Sequence, residues 1–311
     1  MPKHFNMPNQ SLQMTRLINQ LAIGCPITMV LREAVVNGVE ANERLANSLS
    51  AAVTTSRSIN SRILICKDHS FSHKLAIYNF DGEYLSQEIA ENNLATLANS
   101  GNTNNNNDLA SNYGQGAKIS YLPHANEGIL YRSKPMEGST GPGIQFQMML
   151  LADGCYGLKD FDCEFIEDVT CFPYHENFSS EINDAISGTE MVLMGSNEEE
   201  NTWNRMCQET SLSNKGADFY AGHTLADFLS NRFWNNTSSE IHVQLYNEEG
   251  TKGALRRVKS LKEQMQLLED FGMVELNGFE GVPNGTKAYY ARVRKKENNT
   301  TVMTGKGRFS F

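Results

Sequence analysis

Apolar residues along this 311-residue chain fall first into a helical rhythm and then into an alternating one. The opening segment through Leu21 and the stretch from Leu31 repeat apolar positions at helical spacing, whereas "SRILICK" at 61–67 alternates as a strand does. A second strand, "KLAIYNF" at 74–80, runs into the turn signal Asp81-Gly82, and a helix is predicted at "QEIAENNLATLA" with Ser86 as its N-cap. The periodicity then stops. "NSGNTNNNNDLASNYGQG" at 99–116 is polar and rich in Asn and Gly, which predicts a long loop. Strand candidates follow at "GILYRS", "IQFQMMLLA", "CEFIEDVTCF" and "TEMVLMG", separated by Gly and Asn turns.

Together these elements predict one mixed sheet with helices on one face, an α/β two-layer sandwich filling residues 1–210. The texture changes near Ser211. A helix at "AGHTLADFLSNRFW", a strand at "EIHVQLY", a charged helix at "RRVKSLKEQMQLLEDFG" and a strand at "AYYARVRKK" predict a smaller α/β unit over 211–311.

Composition adds exclusions. With 40% hydrophobic and 20% charged residues the chain is long enough for a sizeable core. A net charge of −9 argues against broad nonspecific contact with nucleic-acid phosphates, while leaving room for a local basic patch. Two stretches qualify, Arg256, Arg257 and Lys259, and Arg292, Arg294, Lys295 and Lys296; a solvated helix face and a charged strand end are the favoured explanations of each. No apolar run approaches the roughly 20 residues that cross a bilayer, and "MPKHFNMPNQ" lacks a signal-peptide core, so no membrane partner and a cytoplasmic location are expected. The six cysteines form no C-x-x-C pair, and reduced thiols in or near the core are expected.

The candidate chemistry begins in "LREAVVNGVEAN" at 31–42. Offsets of four and seven residues bring Glu33, Asn37 and Glu40 back to nearly one helical direction, a carboxylate–amide–carboxylate stripe able to hold a hydrated cation and its ligand, or simply a solvated face. "GQGAK", from Gly114 through Gly116 and Ala117 to Lys118, closes the Asn-rich loop and opens a helix, where backbone N–H groups and one Lys converge on a place for an anion. Gly188-Thr189 sets a small residue and a hydroxyl at the start of a strand.

In their order along the chain these features resemble the GHKL ATPase superfamily, which includes gyrase B, the MutL repair proteins, sensor histidine kinases and the large heat-shock chaperone ATPases. The resemblance covers roughly Leu21 to Met194 and implies the Bergerat fold, with ATP and Mg²⁺ as ligands. It implies that Glu33 polarises the attacking water, that Asn37 holds Mg²⁺, and that Glu40 continues the same box. Asp81 or Asn79, with Gly82, would read the adenine. Asn112, Gly114, Gly116, Ala117 and Lys118, with Ser120 adding a hydroxyl, would wrap the triphosphate as a lid, and Thr189 would support the base. This chain departs from the family's Asp-x-Gly-x-Gly box in "YNFDGEYLS", where Tyr84 stands at the place of the second Gly. The implied activity is Mg²⁺-dependent ATP hydrolysis coupled to lid closure and to homodimerisation or engagement of a protein or nucleic-acid partner. A non-hydrolysing nucleotide-binding protein and a histidine kinase-like phosphotransfer module are the alternatives. A transducer lysine reaching the γ-phosphate has two candidates, Lys252 and Lys215.

Overall fold

The computed structural model describes residues 12–51, 61–86, 89–90, 116–136, 143–152, 154–159, 178–211, 220–233, 239–266, 272–276, 286–297 and 300–310. Two helices open the chain, α1 (Leu12–Leu21) and α2 (Met29–Ala51), followed by the strands β1 (Arg62–Lys67) and β2 (Leu75–Phe80). Next come α3 (Gly116–Tyr121), β3 (Gly128–Lys134), β4 (Ile144–Leu150), β5 (Tyr156–Lys159), α4 (Ser180–Asn183) and β6 (Gly188–Gly195). The helices α5 (Thr202–Glu209) and α6 (His223–Ser230) and the strands β7 (Glu240–Tyr246) and β8 (Lys252–Arg257) complete the larger part.

These strands form one eight-stranded sheet in the order β5-β4-β3-β6-β2-β1-β7-β8, with β1 and β7 parallel and the other neighbours antiparallel. The protein is therefore α+β with a mixed sheet. All six residues of β2 are buried, as expected of a central strand covered on both faces. Alternation sends its two sets of side chains to different cores. On one face Ile63, Ile65 and Ile77 lie beneath α2, which approaches closely at Gly38, where a Cβ would sit 2.9 Å from Ile63 Cδ1. On the other face Leu64, Cys66, Ala76, Tyr78, Leu130 and Val192 pack with Phe178, Ile182 and Ala185 around α4.

The expectation of helices on one face thus needs correction, since α4 and its flanks bury the second face. The predicted strands at 61–67, 74–80, 128–133, 189–195 and 240–246 all form within a residue or two of their predicted limits. Ser86 accepts from the Ile89 N–H at 3.2 Å as the N-cap of its segment, whose remainder lies outside the described residues, as do the Asn-rich loop up to Gln115 and "CEFIEDVTCF". Cys66, Cys155 and Cys207 are buried and Cys25 is partly exposed, all four outside any disulfide. Among the described residues no helix is long and apolar enough to cross a membrane.

The chain divides into two units, Met1–Leu229 with Thr237–Val258, and Ser230–Asn236 with Lys259–Phe311. This division differs from the expected boundary at 211, because β7 and β8 complete the large sheet. Arg256 and Arg257, expected to open a charged helix, end β8 instead. Their strand is the sheet edge, where charged residues replace the alternation that marks an inner strand. The second unit begins with α7 (Leu261–Gln266), capped reciprocally by Ser260 and Glu263, and continues in a three-stranded antiparallel sheet of β9 (Gly272–Leu276), β10 (Thr286–Glu297) and β11 (Thr300–Ser310).

Candidate functional site

The face of the large sheet beneath α2 carries polar groups among its apolar ones. Along α2 the predicted stripe grades from core to solvent: Glu33 is 5% exposed, Glu40 is half-buried, and Asn37 is exposed. Glu33 Oε1 accepts from Arg32 Nη1 at 2.5 Å, but the other carboxylate oxygen, Oε2, is buried without a hydrogen-bond donor among the described residues. Against it lies Gly116, the first residue of α3. A Cβ at residue 116 would fall within 3.0 Å of Glu33 Oε2, so a larger residue there would have to displace the carboxylate. The end of the Asn-rich loop is therefore brought to the carboxylate that the helical pattern singled out.

A second meeting point lies further along α2. Asn79 projects from β2 on the same face, in register with Thr189 of β6, whose hydroxyl is 3.0 Å from Ser133 Oγ. Asn42, 1% exposed, donates through Nδ2 to Ser239 Oγ at 2.9 Å while its Oδ1 stays without a donor. The Oδ1 of Asn79 is likewise buried and without a donor. Both amides close on Gly82, where a Cβ would come within 3.0 Å of Asn79 Nδ2 and Asn42 Oδ1. The Glu83 N–H donates to the Ala41 carbonyl at 2.9 Å, tying this turn to α2. An unmade buried hydrogen bond costs about 1–3 kcal/mol, so three such acceptors, two on α2 and one facing it from β2, mark a surface not optimised among the described residues.

Asp81 is placed differently. It adopts a left-handed conformation (φ 54°) and its Oδ1 accepts from the Ile186 N–H at 2.8 Å, while Ser187 Oγ donates to the Gly82 carbonyl at 2.6 Å. Its carboxylate thus fastens the loop entering β6, and Asn79 is the side chain that faces α2 beside Thr189. Lys118 is 1% exposed, and burial pushes its ammonium down to about 7. Ser120 is also buried. The side chain of Ala117, together with Asn112, Gly114 and Lys215, lies outside what is described. Glu40 stands 3.9 Å from Arg44, which also binds Glu83 at 2.6 Å, an exposed ion-pair group at the rim.

The opposite face holds a cluster that sequence reasoning missed. Arg132 Nη1 donates to Asp68 Oδ1 at 2.9 Å and to Glu190 Oε2 at 3.0 Å, with all three residues buried. Tyr78 donates to Asp68 Oδ1 at 3.0 Å, the Ser70 and Phe71 N–H groups donate to Asp68 Oδ2, and the Ser179 N–H donates to Glu190 Oε1. Burial works to raise the Asp68 carboxyl, but His69 and Arg132 outweigh it and hold the group well below the usual carboxylate range. Asp68 in turn raises His69 above its ordinary value, with Glu190 adding to the effect against burial. Asp68, His69 and Glu190 have the composition of a metal site. The Arg132 guanidinium already supplies the cation between the two carboxylates.

Beside this cluster a cavity of about 460 Å³ is lined by Leu64, Cys66, Tyr78, Glu181 and Lys252. Lys252 there pairs with Glu181 at 2.9 Å, on the face away from Glu33. No family model matches the chain, and no curated protein matches it.

Proposed function

We propose that the α2 face is the nucleotide site of a GHKL-type protein with a Bergerat fold, binding ATP with Mg²⁺ and hydrolysing it. The observation that carries the reading is the buried Glu33 carboxylate, whose unpaired Oε2 lies against Gly116, on the same helix as the exposed Asn37. A carboxylate oxygen without a donor is poised to accept a proton from water, the chemistry required of a general base. Asn37 would hold Mg²⁺, which needs few protein ligands because it keeps waters and takes phosphate oxygens, and which would neutralise charge on the phosphates. The unpaired Asn79 carbonyl, beside the Thr189 hydroxyl, supports a contact to a base amino group. Closure of the loop that ends at Gly116 and engagement of a second copy or another partner would follow nucleotide binding.

One observation favours a non-hydrolysing variant of the same reading. Glu33 Oε1 is already held by Arg32 at 2.5 Å, so one of its two oxygens is occupied before any water arrives.

Substitution separates the two. Under the hydrolytic reading Glu33→Gln retains ATP binding and lowers turnover by about 10²–10⁴, whereas Asn37→Ala loses binding and turnover together. ATP binding without turnover in the unaltered protein selects the variant reading. Undiminished turnover in Glu33→Gln rules out the role given to Glu33.

A further inference from the structure

The second unit carries charge of the opposite sign to the chain as a whole. Residues 286–310, the strands β10 and β11 and their connection, contain seven basic residues and one acidic residue, a net of +6 within a chain of net −9. Pairing with β9 ends at Tyr290, so Ala291–Glu297 and their partners continue as a two-stranded ribbon. Seven residues at about 3.4 Å each give it a length of about 24 Å.

Strand alternation sorts the charges. Arg292, Arg294 and Lys296 occupy alternate positions of β10, Lys306 stands opposite Arg292, and Arg308 stands opposite Tyr290. Five basic positions therefore share one face. The register shift at Val293/Arg294 is a bulge, which increases the right-handed twist of a ribbon.

We propose that the β10–β11 ribbon is a binding surface for double-stranded DNA, seated in the major groove with its basic face toward the phosphates. A groove about 12 Å wide admits a two-stranded ribbon, whereas the deep, narrow major groove of duplex RNA does not. An acidic membrane offers the same negative charge, but membrane seating calls for apolar or aromatic anchors, and the outermost pair of this ribbon is Glu297 with Thr300.

The test uses the whole chain, a short fluorescein-labelled DNA duplex and no nucleotide, so that its outcome is independent of the ATP site. Anisotropy titrations across a salt series are expected to show affinity falling with a log–log slope of about −4 to −5, as for about five neutralised phosphates. The doubly substituted Arg292→Gln/Lys306→Gln protein, folded by circular dichroism, is expected to bind more weakly with a slope shallower by about 2. If the double substitution prevents folding, Lys296→Gln near the ribbon end is expected to reduce the slope by about 1. Failure to bind DNA at low salt, binding unaffected by these substitutions, tighter binding to an RNA duplex, or binding to phosphatidylserine vesicles in place of DNA would each overturn the proposal.

Discussion

The two faces of the large sheet spend their buried polar groups in opposite ways. On the face around Arg132 two buried carboxylates share an internal guanidinium, and Tyr78 with three backbone N–H groups completes the network. Under α2, Glu33, Asn42 and Asn79 each keep an acceptor without a donor among the described residues, and Gly82 and Gly116 lie tight against those same side chains. Internal satisfaction is what folding alone requires. Unmet acceptors are tolerated where a ligand completes them, so the face that looks less finished is the one to which we assign function. The contrast also warns against reading any acid–histidine cluster as a metal centre, since the counter-ion can be an arginine from another strand.

The largest effect should come from the satisfied face. Arg132→Met would leave Asp68 and Glu190 buried without their cation and is expected to cost about 3–5 kcal/mol of stability in denaturant unfolding. Glu33→Gln, also buried, is expected to change stability by less than about 1 kcal/mol or to raise it, because its charge is only half accommodated. Equal losses from the two substitutions would erase the distinction between the faces.

A smaller effect concerns Lys118. Its folded value of about 7 lies below the unfolded value, so the unfolded chain binds more protons between about pH 7 and about 10.4, and stability from this group rises with pH across that window. Triphosphate binding would favour the charged ammonium and raise its pKa. ATP affinity is therefore expected to fall by up to about tenfold per pH unit above about 7. Calorimetry in buffers of different ionisation enthalpy would register the accompanying proton uptake, and its absence would separate Lys118 from the phosphates.

The smallest effect is expected at Lys252. Its pair with Glu181 is largely exposed on the lysine side, so Lys252→Ala should alter stability by about 0–1 kcal/mol and leave nucleotide binding unchanged. Lost ATP binding in that protein would revive Lys252 as a phosphate ligand.

What the sequence made legible follows from how local each signal is. Strands β1, β2, β3, β6 and β7 announce themselves through runs of Ile, Leu, Val and Tyr, and Glu33 is visible because helical offsets are arithmetic. Strand β8 was hidden because an edge strand ending in Arg256-Arg257 looks like the start of a charged helix. Asn42 escaped notice although it lies in the same stretch as Glu33: it sits on the sheet side of α2, and its partner Ser239 is 197 residues away. The Arg132 network had no local signature, because β3–β6 pairing places Arg132 opposite Glu190 and a turn after β1 delivers Asp68. Which of Asn79 and Asp81 faces α2 depended on which way one turn runs, and the left-handed Asp81 turns its carboxylate to the Ile186 N–H.

If the unmet acceptors under α2 belong to a nucleotide site, calorimetric titration of the full chain with a non-hydrolysable ATP analogue and Mg²⁺ is expected to give one nucleotide bound per chain, with Asn79→Ala weakening it by about 1–3 kcal/mol through loss of the base contact and Asp81→Asn weakening it less. No binding heat with folded protein, or binding indifferent to Asn79, would contradict it.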